Sequence, residues 1–372
     1  MTNISKITED MKFVNKNLYK VFYPYVVKNP LRIPKYINIA KNFEKCEKLR
    51  DDFLTKGITV PPILILSITS RCNLKCKGCF AYENGNISNS SSRDLSLDQW
   101  KKIIREANEI GVFCYFLAGG EPLMMNNLIS LCKDFPKNIF VLFTNGTLIN
   151  KEIIREASKY PNFVSIISIE GNEEITDFRR GKGTFKKAMD DLKILQKKNI
   201  VSGISVTVTK NNYKYWMEDK NIDFFIEHDA KICILTEYIP EKPDNQTAFK
   251  MLNTTERENF RKKVLEFKEK KKILIIHSPG DEEMFGGCVS AGRGFAHVTP
   301  YGDLTPCPIA NVASHNLTET PILEALQSEL FTRIRNEENL LEKTEGPCAL
   351  FEKYKEVEEL RKEVGAYRTG RY

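Results

Sequence analysis

The sequence predicts an α/β protein in two parts, with six strand–helix units forming a parallel sheet or barrel and a loop-rich C-terminal domain after them. Three observations predict it. Short apolar runs rich in Ile, Val and Phe recur between Ile63 and Tyr238, separated by stretches of helical spacing. From about residue 275 that alternation gives way to glycine- and proline-rich segments. Six of the ten cysteines form two groups, one directly after the first strand and one in the loop-rich part.

Residues 1–60 read as helical and basic, with Phe13, Leu18, Tyr19, Phe22, Tyr23 and Tyr25 among lysines and with breaks at Pro30 and Pro34. Two roles stay open for them: a cap or docking arm on the main domain, or an amphipathic surface for a partner or a membrane face. The strands follow at Ile63–Thr69, Val112–Leu117, Ile139–Phe143, Val164–Ile169, Ile204–Val208 and Ile232–Tyr238. Their continuous apolarity fits parallel strands covered on both faces. Helices fit between them, as at Leu97–Ile110, where Leu97, Trp100, Ile103 and Ile104 share one face, and at Phe185–Lys198. Active residues then belong at the C-terminal strand ends. Asn84–Ser92 reads as a polar loop, Thr255–Lys272 as a lysine-rich helix packed through Phe260, Val264, Leu265 and Phe267, and the tail after Leu350 as helical up to Gly365.

The composition is that of a globular protein, with 41% hydrophobic and 28% charged residues, and 372 residues suggest roughly two domains. The net charge of +7 is dispersed, so nucleic acid is not an expected partner. The longest apolar run, Val60–Leu66, is broken by Pro61 and Pro62 and is far short of a transmembrane span. The start Met1-Thr-Asn-Ile-Ser-Lys6 has no apolar core of a signal peptide, so the expected location is the cytoplasm. There, clustered cysteines point to metal binding or catalysis and not to disulfides. Cys46, Cys114, Cys132 and Cys233 are isolated and read as packing residues.

Cys72, Cys76 and Cys79 stand in a short polar loop after the first strand, separated by three and then two residues. Three thiolates there can hold one iron–sulfur cluster and leave one iron without a protein ligand. A structural zinc knuckle with a distant fourth ligand is the alternative, and it would make the protein a non-enzymatic interaction module. Ala118-Gly119-Gly120-Glu121-Pro122 ends the second strand; its two glycines permit a close backbone approach to a ligand.

The cysteine spacing together with this Gly-Gly-Glu-Pro run resembles the radical S-adenosylmethionine (SAM) superfamily, from about Ile63 to Tyr238. The resemblance implies a partial (β/α)6 barrel. It also implies a [4Fe–4S] cluster on Cys72, Cys76 and Cys79 whose open iron takes the amino acid end of SAM, and a reductant such as flavodoxin or ferredoxin. Reductive cleavage of SAM then yields a 5′-deoxyadenosyl radical that abstracts hydrogen from a substrate. Gly119, Gly120 and Glu121 are carried over as SAM contacts, with Thr144 and Asn145 after the third strand. Ser168-Ile-Glu170-Gly171 is similar to the Ser-x-Asp-Gly run of maturase-type members, and Asp177-Phe-Arg-Arg180-Gly to a segment whose arginine pairs with the SAM carboxylate. Arg180, next to the glycine, is preferred over Arg179. Thr207 is a weaker pocket candidate. The family's aromatic before the last cysteine is replaced here by Gly78, and Phe80 follows as the adenine neighbour instead.

Cys288, Cys307 and Cys348 form the second group, and Gly302-x-x-x-x-Cys307 resembles the opening turn of auxiliary-cluster domains. The later cysteine-rich stretch of the SPASM type is missing, so the resemblance is to a twitch-like or reduced SPASM domain with a second, auxiliary [4Fe–4S] cluster. Its fourth ligand stays open among Glu352, Glu345, His297, another group or none. Gly292-Arg293-Gly294 reads as a turn beside it. The expected organisation is a basic segment at 1–60, the barrel at 61–240, a connecting helix at 241–274 and the auxiliary domain at 275–372. The expected function is a radical SAM oxidoreductase or maturase acting on a peptide or protein, with an aminosugar-like small molecule or a lipid as alternatives. Glu237 and Tyr238 face the pocket if the strand register holds.

Overall fold

A computed structural model describes residues 23, 25–83, 85, 87–88, 93–240, 249–337, 339–342 and 344–370. The aromatic and basic run read at residues 1–22 and most of the polar loop at 84–92 lie outside the described residues.

Seven parallel strands form the body of the sheet: β1 (Ile63–Thr69), β2 (Cys114–Gly119), β3 (Ile139–Thr144), β4 (Phe163–Ser168), β5 (Val201–Val208), β6 (Ile232–Glu237) and β7 (Leu274–Ser278). Two more, β8 (Phe295–Val298) and β9 (Leu304–Thr305), give the order β7-β6-β5-β4-β3-β2-β1-β8-β9. β8 runs parallel to β1, with Ile63 opposite Phe295, and β9 runs antiparallel to β8. The C-terminal segment is thus stitched directly to the first barrel strand. The six expected strands are all present; β7 and β8 extend them on either flank.

The described helices include α1 (Ile33–Thr55), α2 (Leu97–Glu109), α3 (Lys151–Ala157), α4 (Glu173–Arg180), α5 (Thr184–Lys197), α6 (Asp219–Glu227), α7 (Thr254–Lys270), α8 (Glu329–Asn336) and α9 (Tyr354–Glu363). Sequence sets their starts. Ser96 and Gln99 form a capping box on α2, and Asn253 and Glu256 do the same on α7. Side chains alternate along each strand. Leu64, Leu66, Tyr115 and Leu117 point outward beneath helices such as α2, which presents Trp100, Ile103 and Ile104, all buried. Each such side chain stabilises the fold by about 1.5–3 kcal/mol. Ile63, Ile65, Phe116 and Ala118 point inward and line a cavity.

The far end of the barrel is closed by α1 and the chain before it. Arg50 donates to the Gly111 carbonyl (2.6 Å) and Asn42 to that of Lys137 (3.0 Å), both just ahead of strands. Tyr25 is buried against Val141, Val164, Val201 and Ile232 of the inner sheet face. The described part of the N-terminal segment therefore caps the barrel, while Val27, Leu31, Ile33 and Ile37 are exposed on it. Among the described residues no helix is long and apolar enough to cross a membrane.

Candidate functional site: two cysteine groups and one cavity

The loop carrying Cys72, Cys76 and Cys79 is pinned by the ends of three strands and by α4. At β2, Gly120 N–H donates to the Thr69 carbonyl (2.9 Å) and Glu121 N–H to that of Arg71 (2.8 Å). Gly119 has φ +104°, and a Cβ on Gly120 would collide with the Arg71 carbonyl. The two glycines are thus required by the approach of the cysteine loop itself. A register irregularity between Ser67 and Thr69 bends β1 at this point. At β3, Asn145 donates through Nδ2 to Asn73 Oδ1 (2.9 Å), and Asn73 donates to the Thr147 hydroxyl (2.7 Å). From α4, Lys77 N–H reaches the Arg179 carbonyl (2.9 Å), and the Arg179 guanidinium reaches the Gly78 carbonyl (3.2 Å).

Two buried carboxylates hold these strand ends together. Glu121 is 1% exposed and accepts from the Thr144 hydroxyl (2.8 Å), Asn145 N–H (2.8 Å) and Leu123 N–H (3.1 Å). Burial still raises its pKa above the ordinary carboxylate value, against those hydrogen bonds. Glu170 is fully buried and takes both Arg179 (2.5 Å) and Arg180 (2.6 Å), while Thr207 N–H donates to its other oxygen (3.1 Å). Its backbone carbonyl accepts from Trp216 Nε1 and Asn212 Nδ2, each at 3.0 Å. Burial pushes the Glu170 carboxyl up, but the two guanidiniums outweigh it and hold it below the usual range. Arg180 is thus engaged by Glu170, within electrostatic reach of Cys76 and Cys79. Ser168 lies deeper, 3.4 Å from the Ser205 hydroxyl.

Gly78, with φ +60°, has Phe249 and Tyr238 packed where a side chain would stand. Aromatic bulk absent from position 78 is thus supplied by residues 160 or more positions later, a substitution that only the fold makes visible. Phe80 lines the cavity nearby.

That cavity has a volume of about 1250 Å³ and runs along the inner sheet face. Gly78 and Phe80 stand in its wall at one place, and Cys288, Cys307 and Cys348 at another. Cys307 lies just past β9, and Ala310 N–H donates to its sulfur (3.3 Å). Cys288 is fixed by its N–H to the Leu341 carbonyl (2.8 Å) and by Arg293 on its own carbonyl (2.7 Å). Burial raises all three thiols above their ordinary value, so binding of a metal cluster there must displace their protons. All ten cysteines are free. Among the described residues no three His, Cys, Asp or Glu side chains are gathered tightly enough for a single metal ion. A set of three cysteines, all thiol and in mutual electrostatic reach, fits a multi-iron cluster at each place.

His297 is not placed as a ligand: its ring nitrogens meet the Ser67 hydroxyl (2.8 Å) and the Thr305 hydroxyl (2.7 Å), and burial lowers its pKa to about 3. Glu345 offers its carbonyl to Arg257 (2.7 Å), and Glu352 hydrogen-bonds Thr344 and the Gly346 backbone. Glu237 and Tyr238 do line the cavity, but Glu237 is held by Arg257 (2.7 Å) and by the buried His277 (2.9 Å). Sequence reasoning missed His277 and Arg257, each recruited to Glu237 from a distant element, and Glu282 beside Cys288, which nothing in the acidic run Asp281-Glu282-Glu283 singles out.

A parallel partial barrel with a three-cysteine loop at the end of its first strand defines a radical SAM protein. Residues 66–221 match the radical SAM superfamily, and residues 288–349 match the SPASM iron–sulfur cluster-binding domain. The chain carries a radical SAM domain followed by a SPASM domain. Those two domains bring SAM, its [4Fe–4S] cluster and auxiliary cluster binding. The chain is 27% identical over 323 residues to the AdoMet-dependent heme synthase of Methanosarcina barkeri, covering 80% of this chain and 90% of that one. It is 32% identical over 194 residues to the cysteine-type anaerobic sulfatase-maturating enzyme of Clostridium novyi, covering 48% of this chain and 50% of that one. The structure of Streptococcus suis SuiB bound to its precursor peptide SuiA has the same fold, with TM-score 0.65 and 19% identity over 78% of this chain and 70% of that one.

Proposed function

We propose that the protein oxidises a side chain of a peptide or protein, using SAM and electrons from a small redox protein such as flavodoxin or ferredoxin. One observation carries this reading: a single cavity is bordered by the SAM-cluster loop at Gly78 and Phe80 and by the second cysteine group at Cys288, Cys307 and Cys348. A substrate lying in it has the radical source on one side and a second redox centre on the other. With its clusters and SAM bound, the site supplies one-electron cleavage of SAM and hence a 5′-deoxyadenosyl radical. The chain's part is to seat and shield the substrate. Ile65, Phe116, Phe143, Ile234 and Phe80 wall the cavity with apolar surface and keep water from the reacting atoms. Gly119, Gly120, Glu121, Thr144, Asn145, Glu170 and Arg180 set the strand ends around the cysteine loop and form the SAM side.

The apolar walls at Ile65, Phe116, Phe143 and Ile234 offer few polar groups to a polyhydroxylated ring, which favours a chain segment over an aminosugar-like metabolite. The sulfatase-maturating relative and the peptide-bound neighbour agree with that choice. A second reading, a flat haem-type macrocycle, is favoured by the aromatic and aliphatic walls and by the heme synthase relative, matched over most of both chains.

The balance of the peptide reaction is fixed. One hydrogen atom leaves to 5′-deoxyadenosine, one electron passes to the auxiliary site, and one proton is released. Anaerobic incubation of the iron-loaded protein with SAM, dithionite and a library of short synthetic peptides should yield 5′-deoxyadenosine in step with a peptide lighter by two hydrogens. Mass spectrometry reads both. Conversion of an iron porphyrin with the peptide untouched would move the assignment to the second reading.

A further inference from the structure

Three acids in a row, Asp281, Glu282 and Glu283, sit on the short helical turn between β7 and Cys288, and the fold gives each a different direction. Asp281 pairs with Lys268 (2.5 Å) and accepts from His277 N–H (2.9 Å). Glu283 pairs with Arg261 of α7. Asp281 and Glu282 both line the cavity that holds Cys288, Cys307 and Cys348, and of the two Glu282 has no lysine or arginine paired with it among the described residues. Its carboxyl group lies beside the Cys288 thiol, which donates to the Ser290 hydroxyl (3.2 Å), and each of the three thiols lies within its direct electrostatic reach. The nearby cation is Arg293, whose guanidinium is turned to the carbonyls of Cys288 (2.7 Å) and Phe285 (3.4 Å).

Three thiolates satisfy three irons of a four-iron cluster. The sequence candidates for the fourth position stand elsewhere: His297 is held by two hydroxyls, Glu352 by Thr344 and Gly346, and Glu345 is exposed. A carboxylate is an acceptable iron ligand, harder than thiolate. We propose that Glu282 closes the auxiliary cluster by ligating its fourth iron through a carboxylate oxygen, so that this cluster has a mixed three-sulfur, one-oxygen protein ligand set. The cluster then presents no open iron to the substrate. It serves as an electron acceptor beside the substrate and does not bind it. This inference rests on the auxiliary-cluster assignment above and sharpens it.

The test uses the full chain with Cys72, Cys76 and Cys79 replaced by alanine, which isolates the auxiliary site. Loaded anaerobically with ⁵⁷Fe and sulfide, it should hold about four irons; an empty protein would sink the cluster assignment itself. With iron bound, Mössbauer spectroscopy should show about a quarter of the absorption as a distinct doublet, the oxygen-ligated iron among three thiolate-ligated ones. Glu282→Cys should merge that doublet with the others. Glu282→Gln should loosen that iron, so that mild oxidation yields a three-iron form that the parent resists. Four equivalent irons in the parent, or a distinct doublet that persists unchanged in both variants, would overturn the ligand assignment while leaving the cluster in place.

Discussion

Replacing Glu170 by glutamine should cost about 3–5 kcal/mol, because it strands two buried guanidiniums against a neutral amide. The wild-type carboxylate takes Arg179 and Arg180 together and also accepts from Thr207 N–H, so the change loosens β4, β5 and α4 at once. Since α4 holds the cysteine loop through Lys77 and Gly78, weakened iron loading should accompany the loss of stability. Urea unfolding of the apoprotein gives the first effect, and a loss below about 1 kcal/mol, the size of an exposed ion pair, would refute this account of Glu170. The pH dependence has a definite sign. The folded carboxyl is held below its ordinary value, because Arg179 and Arg180 outweigh the upward push of burial. Its contribution is therefore complete above the unfolded value of about 4.3 and disappears as pH falls through the lower folded value. The gap between wild type and Glu170→Gln should close in that acid window.

Alanine at Cys72, Cys76 and Cys79 should abolish formation of 5′-deoxyadenosine from SAM and dithionite, a loss of several orders of magnitude, with iron falling from about eight to about four per chain. The fold should survive, since the three thiols are partly exposed and lie in a loop fixed through backbone atoms and Asn73. Retained 5′-deoxyadenosine production would place the SAM site elsewhere. Zinc without sulfide in the purified protein would return the chain to the interaction-module reading.

The barrel was legible because its strands are apolar on both faces and its cysteine ligands are local in sequence: spacing alone marks Cys72, Cys76 and Cys79. β7 was hidden because Leu-Ile-Ile-His-Ser follows a lysine run and precedes Pro279 and Gly280, so it reads as the start of a loop. β8 is four residues with a histidine at its centre, and His297 is tolerated there only because Ser67 and Thr305 satisfy both ring nitrogens. The Gly119–Gly120 pair reads in sequence as a close approach to a ligand, and in the fold the neighbour that crowds it is the Arg71 backbone. Arg180 reads in sequence as a partner for the SAM carboxylate, whereas in the fold its guanidinium is held by Glu170, ten residues away on another element. Nothing in sequence separates Glu282 from Asp281 and Glu283; only the third dimension sends two of them to lysine and arginine and one to the thiols.

The proposed function requires one cavity to join radical formation to a second redox centre. Cys307→Ala tests it most directly, with SAM cleavage and substrate oxidation measured in the same anaerobic reaction. The expected result is loss of the auxiliary cluster, 5′-deoxyadenosine still formed, and oxidised product reduced at least tenfold. Oxidised product at the wild-type rate, with that cluster absent, would contradict it.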